Sequence, residues 1–524
     1  MPGSESVELL HDAGAVLQPG FAGQTAPDWL RRRLGSGELG GVALFGRNIH
    51  TPQQVARLTS ELYALNGDLL IATDEEGGDV TRLEVTSGSS YPGNHALGEV
   101  DDTDLTERVA RSIGFDLSSV GVNLNYAPDA DVNSNPDNPV IGVRSFGGDG
   151  ELAARHTAAY VRGLQSAGVA ACAKHFPGHG DTAGDSHLGL PRIDLSPEQF
   201  AEHLLPFKAA IAAGVKSIMT AHILFPAYDP ELPATMSRRI LTGLLREELG
   251  FEGLIVTDGI EMGAISGTHG VAAGSVRAIA AGADTICVGG GLQDEEAFVY
   301  LRDALVWAVR EGRLSAERLH EAAERNRAVA RWSAAVRQAQ VGAHGEVGIG
   351  LTAARRALRV HGELRPLSGV PHVVEFSPGA NIAVGDETPW GVAAPLAELV
   401  PGTTVTRVGA PATRMEGSGL LHVAVAADDA EVDTAPVLGA AVGRPLVVVV
   451  RDIHRHTWMK RAALAVTEAR PDAVVVELGT GHGVTELFSA RDVTVLATRG
   501  GSRVCGIAAA EALAGLAVSP ANAG

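Results

Sequence analysis

Apolar and β-branched residues gather into short runs through the first 290 positions, at 14–17, 42–45, 69–73, 122–126, 169–173, 215–220, 254–257 and 284–288. Each run spans four to six residues, the length of a strand and too short for a helix. Most are separated by stretches long enough for one, such as 52–65, 104–120, 151–167 and 196–213. Eight strands alternating with helices predict parallel β/α units, and the count of eight predicts a closed (β/α)8 barrel of the TIM type. An open doubly wound sheet is the alternative reading of the same pattern.

Two helices follow the eighth run. The first, near 294–310, stops at Gly312, and Ser315 is placed to N-cap the second, which reaches about residue 336. The segment AQVGAHGEVGIG (339–350) is Gly-rich and reads as a linker. Beyond it a helix is expected at 352–360. Strands are then expected at 372–376, 403–408, 421–426, 446–450, 473–477 and 493–497. The pattern therefore predicts a barrel with trailing helices over 1–338 and a smaller open α/β sandwich over 351–524.

The length of 524 residues agrees with two domains rather than one core. The 62 acidic residues against 42 basic ones give a formal charge of −20, which argues against nucleic acid or an anionic membrane as partner. Three cysteines, Cys172, Cys287 and Cys505, lie far apart without a CxxC pair, so neither a disulfide framework nor a zinc ribbon is supported. The first residues show no basic and apolar regions of a signal peptide, and no run of about 18 apolar residues is present to span a bilayer. A cytoplasmic protein is expected. Lysine is used only four times, against 38 arginines, which draws attention to Lys174 in a polar motif.

In a barrel, reactive groups come from the C-terminal ends of strands. The third run is followed by Asp74, the fourth by a long loop with Asp131 and Arg144, and the fifth by Lys174, His175, His179, Asp185 and His187. The sixth is followed by His222 and the seventh by Asp258. Asp258 could be a nucleophile, a base or a helix N-cap. Asp185 and His187 stand two apart in a polar loop; a carboxylate bonded to one imidazole nitrogen raises the basicity of the other, which suits a general acid/base. The ordinary alternative is a solvated loop. Lys174 and His175 point to a pocket or, equally, to a surface lysine and a buried histidine. His175, His179, Asp181 and His187 resemble a metal-ligand set, but none has HExxH spacing and two glycines intervene, so no metal is assigned. The GTGHG stretch at 479–483 lacks both the third glycine of a dinucleotide loop and a P-loop lysine.

The run KHFPGHGDTAGDSH (174–187) resembles glycoside hydrolase family 3, in its β-N-acetylglucosaminidase branch. GGVALFGRNI (40–49), TDEEGGDVTRL (73–83), NPVIGVRSFG (138–147), ATMSRRILTGLLREELGFEGLIVTDGIEM (234–262) and GADTICV (282–288) resemble it in the same order. VVVVRDIHRHTW and VVVELG resemble the family's second domain. The resemblance implies that Asp258 is the nucleophile and that His187, assisted by Asp185, is the acid/base. It implies that Asp74, Arg144, Lys174 and His175 hold the hydroxyls of the terminal sugar, with Asp131 and His222 supporting the pocket. Two positions depart from the family pattern: Asp79, where a basic residue is usual, and the GTGHG turn, where a bulky residue and Pro are usual.

The implied activity is a retaining exo-β-N-acetylglucosaminidase acting on a GlcNAc-containing glycoside, without a cofactor. A carboxylate below the anomeric carbon stabilises an oxocarbenium-like transition state and forms a covalent intermediate, while a proton donor serves the leaving oxygen. Imidazole, with an ordinary pKa of about 6.5, needs little tuning for that task. The same residues would serve a β-N-acetylglucosaminide phosphorylase, with phosphate in place of water. A non-catalytic sugar-binding protein is the alternative from another class. Cell-wall fragments and chitin oligosaccharides are both candidate substrates, and the oligomeric state is open.

Overall fold

In the computed structural model the described residues are 2–379, 384–385, 388–409, 420–424, 431–489, 491, 493–516 and 521–522. They form two units, and these are not contiguous in sequence. The first comprises Met1–Glu76, Thr103–Ile141 and Ser145–Val347; the second comprises Gly77–Asp102, Gly142–Arg144 and Gly348–Gly524.

In the first unit all eight predicted strands form, on or overlapping their apolar runs. They are β1 (Leu17–Pro19), β2 (Gly41–Leu44), β3 (Leu70–Thr73), β4 (Leu124–Asn125), β5 (Ala170–Phe176), β6 (Ser217–Thr220), β7 (Leu254–Thr257) and β8 (Ile286–Val288). β2 to β7 pair in parallel in sequence order, β1 pairs in parallel with β8, and Val256 of β7 bridges to Thr285 just before β8. That is the strand order of a (β/α)8 barrel rather than of an open doubly wound sheet. Every residue of the eight strands is buried, which explains why they read as continuous apolar runs instead of alternating ones. Leu70, Ala72, Leu124, Tyr126, Ala170, Cys172, Met219, Leu254, Val256 and Cys287 join in one core cluster.

The first strand begins later than its run, because residues 14 and 15 end the helix Pro2–Ala15. Gly14 is there for contact: a Cβ on it would stand 1.6 Å from the Glu38 carbonyl oxygen. The helix expected at 196–213 is broken into Pro197–Phe200, a 3-10 turn Ala201–Leu204 and Leu205–Ala212. Pro206 lacks the N–H that would carry the ladder through. Ser315 caps the helix Ala316–Ala339 as expected, its hydroxyl accepting from Arg318 N at 3.1 Å.

The second unit holds β9 (Arg359–His361), β10 (His372–Ser377), β11 (Thr404–Gly409), β12 (Leu420–Ala424), β13 (Leu446–Val450), β14 (Val474–Glu477), β15 (Val495–Ala497) and β16 (Ala521–Asn522). The sheet order is β12-β11-β10-β13-β14-β15-β9-β16, parallel from β12 to β15. It is the open α/β sheet expected, extended by β9 and β16. β9, antiparallel to β15, takes the end of the predicted 352–360 helix, which runs instead over Ile349–Ala357. Residues 425 and 426 of the strand predicted at 421–426 lie outside the described residues. Val448, Val450 and Val475 face one core layer, and Val447, Val449, Val474 and Val476 face the other, so both sides of the sheet are covered.

Asp79, the departure from the family pattern, is paired inside this unit. Its carboxylate accepts from Arg451 and from Gly501 N at 2.9 Å. Glu99 likewise bridges Arg359 (2.8 Å) and Arg499 (3.1 Å). These pairs tie 77–102 to the sheet domain. Among the described residues, no helix is long and apolar enough to cross a membrane.

Candidate active site

The C-terminal ends of β3 to β7 and the loops after them, in the first unit, carry the candidate residues other than Arg144. At the end of β5, Lys174 is 2% exposed and reaches two carboxylates, Asp74 Oδ1 and Glu76 Oε1, each at 2.7 Å. A buried ammonium with one partner would be poorly compensated; two acids remove that deficit. Glu76, also buried, was not singled out in the sequence, although it stands in the same DEEGG run as Asp74. Lys174→Met strands both acids without their cation. It should lower stability by about 3 kcal/mol, the scale for removing one partner of a buried ion pair. Thermal unfolding checks this, and acidification that protonates the stranded carboxylates should recover part of the loss.

His175 and Asp131 form the next pair. His175 Nδ1 donates to Asp131 Oδ2 at 2.7 Å, and Asp131 Oδ1 accepts the backbone N–H of His175 (3.2 Å) and of His179 (2.6 Å). Asp131 therefore organises the whole turn after β5. Ligand atoms of Asp129, Asp131 and His175 converge within 4.8 Å, the geometry a metal could use. The oxygens of Asp131 are already engaged by three donors, and Asp129 Oδ1 accepts from Asp131 N at 3.0 Å. The quartet considered from sequence has other employment too. His179 bonds Thr182 and Ser186, His187 bonds Asp185, and Asp181 accepts from Ser134.

At the end of β6, His222 is fully buried, and burial lowers its pKa, with the nearby Asp258 charge opposing. Nε2 faces the Gly259 carbonyl oxygen at 3.0 Å, so it carries a proton; Nδ1 lies 2.7 Å from the Thr235 hydroxyl oxygen. A neutral His222 thus grips the residue that follows Asp258. Thr235, another residue the sequence did not single out, holds the other ring nitrogen and is itself anchored to the Ala221 carbonyl oxygen at 3.0 Å.

Asp258 follows β7 and is half-buried. Its Oδ1 accepts from Gly259 N at 2.7 Å. Burial alone would raise its pKa, but the imidazoles of His175, His222 and His187 and the Gly259 N–H outweigh that and hold it far below the usual carboxylate range. It is an anion at neutral pH. The capping alternative has no support in geometry: the next helix, Gly263–Ser266, has Met262 at its N-cap and no side-chain cap.

The loop after β5 carries the Asp185–His187 pair. Asp185 Oδ1 accepts both His187 N (2.9 Å) and His187 Nδ1 (2.7 Å). Burial raises the Asp185 pKa, and these two donors more than reverse it. The proton on Nδ1 is therefore fixed, and Nε2 is the nitrogen left for proton exchange. The loop is docked on the segment that follows Asp258: Gly263 N donates to His187 O at 3.2 Å and Ala264 N to Ser186 O at 3.4 Å. A Cβ at Gly263 would stand 2.9 Å from His187 O and 3.1 Å from Leu188 O. Gly263→Ala should therefore lift the loop and lower kcat by about tenfold or more, as small misplacements of reacting groups do. Steady-state kinetics with an unchanged melting temperature checks it.

The structure thus gathers Asp74, Asp131, Lys174, His175, Asp185, His187, His222 and Asp258 in one unit. Arg144 is placed differently. It ends the buried turn Gly142–Arg144 of the second unit, where its carbonyl oxygen accepts from Asn94 Nδ2 at 2.7 Å.

Residues 19–329 match the Glycosyl hydrolase family 3 N terminal domain. The β-hexosaminidase of Pseudomonas aeruginosa is 38% identical over 277 residues, covering 51% of this chain and 80% of that protein. Beta-hexosaminidase A of Pseudoalteromonas piscicida is 39% identical over 282 residues, 50% of this chain, but the match spans only 47% of that longer protein. A solved glycoside hydrolase family 3 β-N-acetylglucosaminidase from Paenibacillus sp. str. FPU-7 superposes with a TM-score of 0.83 at 34% identity, covering 98% of this chain and 97% of that one. A catalytic barrel matched over most of its length, followed by the second domain of the same architecture, places this chain in glycosyl hydrolase family 3.

Proposed function

We propose that this chain is a retaining exo-β-N-acetylglucosaminidase that removes a terminal β-linked GlcNAc. The observation that carries the reading is the pairing of two opposed groups on one scaffold. Asp258 is held as an anion, and the Asp185–His187 dyad is tethered to the segment that follows it. Asp258 attacks the anomeric carbon while His187 protonates the departing oxygen; His187 then deprotonates the water that hydrolyses the glycosyl ester. Asp74, Lys174 and His175 are the residues we assign to the sugar hydroxyls. Asp131 and His222 act through His175 and Gly259. The hexosaminidase relatives support the choice of an N-acetylhexosaminide over a plain glucoside.

The deciding experiment is turnover of 4-nitrophenyl β-N-acetylglucosaminide with and without phosphate, with the sugar product identified. Free GlcNAc at a rate indifferent to phosphate supports the hydrolase. GlcNAc-1-phosphate formed faster with phosphate would replace it with a phosphorylase using the same residues. Binding of GlcNAc without any product would overturn both. Chitobiose and muropeptide fragments are the two natural glycosides we would compare. A cytoplasmic site of action is part of the proposal, and it suits a protein whose three buried cysteines are free thiols.

A further inference from the structure

Ser186 stands between Asp185 and His187, and it is the one buried side chain in the stretch 183–190; Leu188, two residues on, is 78% exposed. A loop of this kind gains little from apolar packing, so its position depends on the few hydrogen bonds it makes. The hydroxyl of Ser186 lies 3.1 Å from Nε2 of His179, itself buried. The other ring nitrogen, Nδ1, lies 2.9 Å from Thr182 Oγ1. The Thr182 hydroxyl donates to the His179 carbonyl oxygen at 3.1 Å, so its oxygen accepts from Nδ1–H. Nε2 therefore carries the lone pair, and the Ser186 hydroxyl donates into it. Burial, aided by the neighbouring His175, lowers the His179 pKa to about 4, which keeps that lone pair available at neutral pH.

His179 is in turn fixed from the barrel side. Its N–H donates to Asp131 Oδ1 at 2.6 Å, its carbonyl oxygen accepts from Asn138 Nδ2 at 2.9 Å, and its ring lies edge-on to His175 at 5.6 Å. The next residue, Gly180, leaves no room to shift: a Cβ there would stand 1.7 Å from the Val132 carbonyl oxygen. A rigid imidazole thus reaches up from the turn that Asp131 organises to the centre of the dyad.

We propose that His179 is a positioning residue: through its hydrogen bond from Ser186 it holds the Asp185–His187 dyad in register for proton transfer. The proposal deepens the glucosaminidase reading and rests on it. His179 touches neither substrate nor reacting atoms, so its effect should follow the need for a proton donor. The test compares kcat/KM on chitobiose, whose leaving group needs protonation, with that on a 2,4-dinitrophenyl glycoside, whose leaving group does not. His179→Asn keeps a partner for Thr182 but none for Ser186; His179→Gln places an acceptor near the lost Nε2; Ser186→Ala removes the hydroxyl alone. His179→Asn and Ser186→Ala should each lower kcat/KM on chitobiose by about tenfold or more and change the dinitrophenyl value by at most about twofold. His179→Gln should restore most of the activity. The double variant should lose no more than either single one, because both remove the same contact.

Should His179→Asn not fold, Ser186→Ala alone carries the test. Wild-type rates on chitobiose in Ser186→Ala would overturn the proposal. So would equal losses on both substrates shared by His179→Gln, which would mark a purely structural histidine. His187→Ala is measured in parallel. If that variant spares chitobiose, the acid/base reading itself has failed and the proposal falls with it; if only the His179 and Ser186 variants are silent, the acid/base reading stands and the proposal alone is lost.

Discussion

Asp258→Ala is expected to lower kcat on 4-nitrophenyl β-N-acetylglucosaminide by on the order of 10⁴-fold or more, the scale seen when a covalent nucleophile is deleted. The neighbouring imidazoles and the Gly259 N–H hold Asp258 as an anion despite its partial burial, so its charge is ready before substrate arrives. In the proposed mechanism, removing it deletes both the nucleophile and a negative charge beside a developing oxocarbenium ion. The fold should survive, since one half-buried carboxylate is lost and, among the described residues, no arginine or lysine is paired with it. Added azide should restore part of the turnover by entering the vacated space, and its product should be a glycosyl azide of the opposite anomeric configuration to the substrate. Undiminished turnover by Asp258→Ala would remove the nucleophile assignment outright.

His187→Ala is expected to lower kcat/KM on chitobiose by about 10²–10⁴-fold, the usual worth of a general acid. On a 2,4-dinitrophenyl glycoside kcat/KM should change little, because that leaving group departs as a stable anion. Its kcat should still fall, since the same imidazole activates water in the second step, and KM should fall with it as the glycosyl-enzyme accumulates. Asp185→Asn should give the same pattern at smaller amplitude. It retains a hydrogen-bonding group beside His187 but loses the charge that favours a proton on Nδ1 and supports the imidazolium. Equal losses on the two substrates would argue against acid catalysis.

The barrel was legible because its strands are buried on both faces and therefore appear as uninterrupted apolar runs. The start of β1 was not, since Gly14 and Ala15 continue the apolar run in sequence but end a helix in space, with Gly14 packed against the Glu38 carbonyl. Asp258, Asp185 and His187 could be named as candidates from strand-end position and motif. Whether Asp258 capped a helix could only be answered by the hydrogen bonds around it. Glu76 escaped notice because its partner Lys174 comes from another strand, and Thr235 because it lies 13 residues beyond His222 in the connection after β6, with no local pattern linking either pair. The non-contiguous second unit was equally hidden. The segment 77–102 carries ordinary loop composition, and its attachment to the sheet domain depends on single pairs such as Asp79 with Arg451.

In the proposed double displacement, the Gly259 N–H that points at Asp258 Oδ1 bears on both halves, and in opposite senses. During attack it withdraws electron density from the carboxylate and makes it a slightly weaker nucleophile. During release the roles reverse: the carboxylate is now the leaving group, and the same N–H stabilises the charge returning to it. A donor fixed in the backbone cannot be withdrawn for one step and offered for the other. It therefore levels the two barriers, slowing arrival at the ester and hastening departure from it, so that the covalent species should be short-lived with natural glycosides and should accumulate only when an activated substrate makes its formation outrun its breakdown.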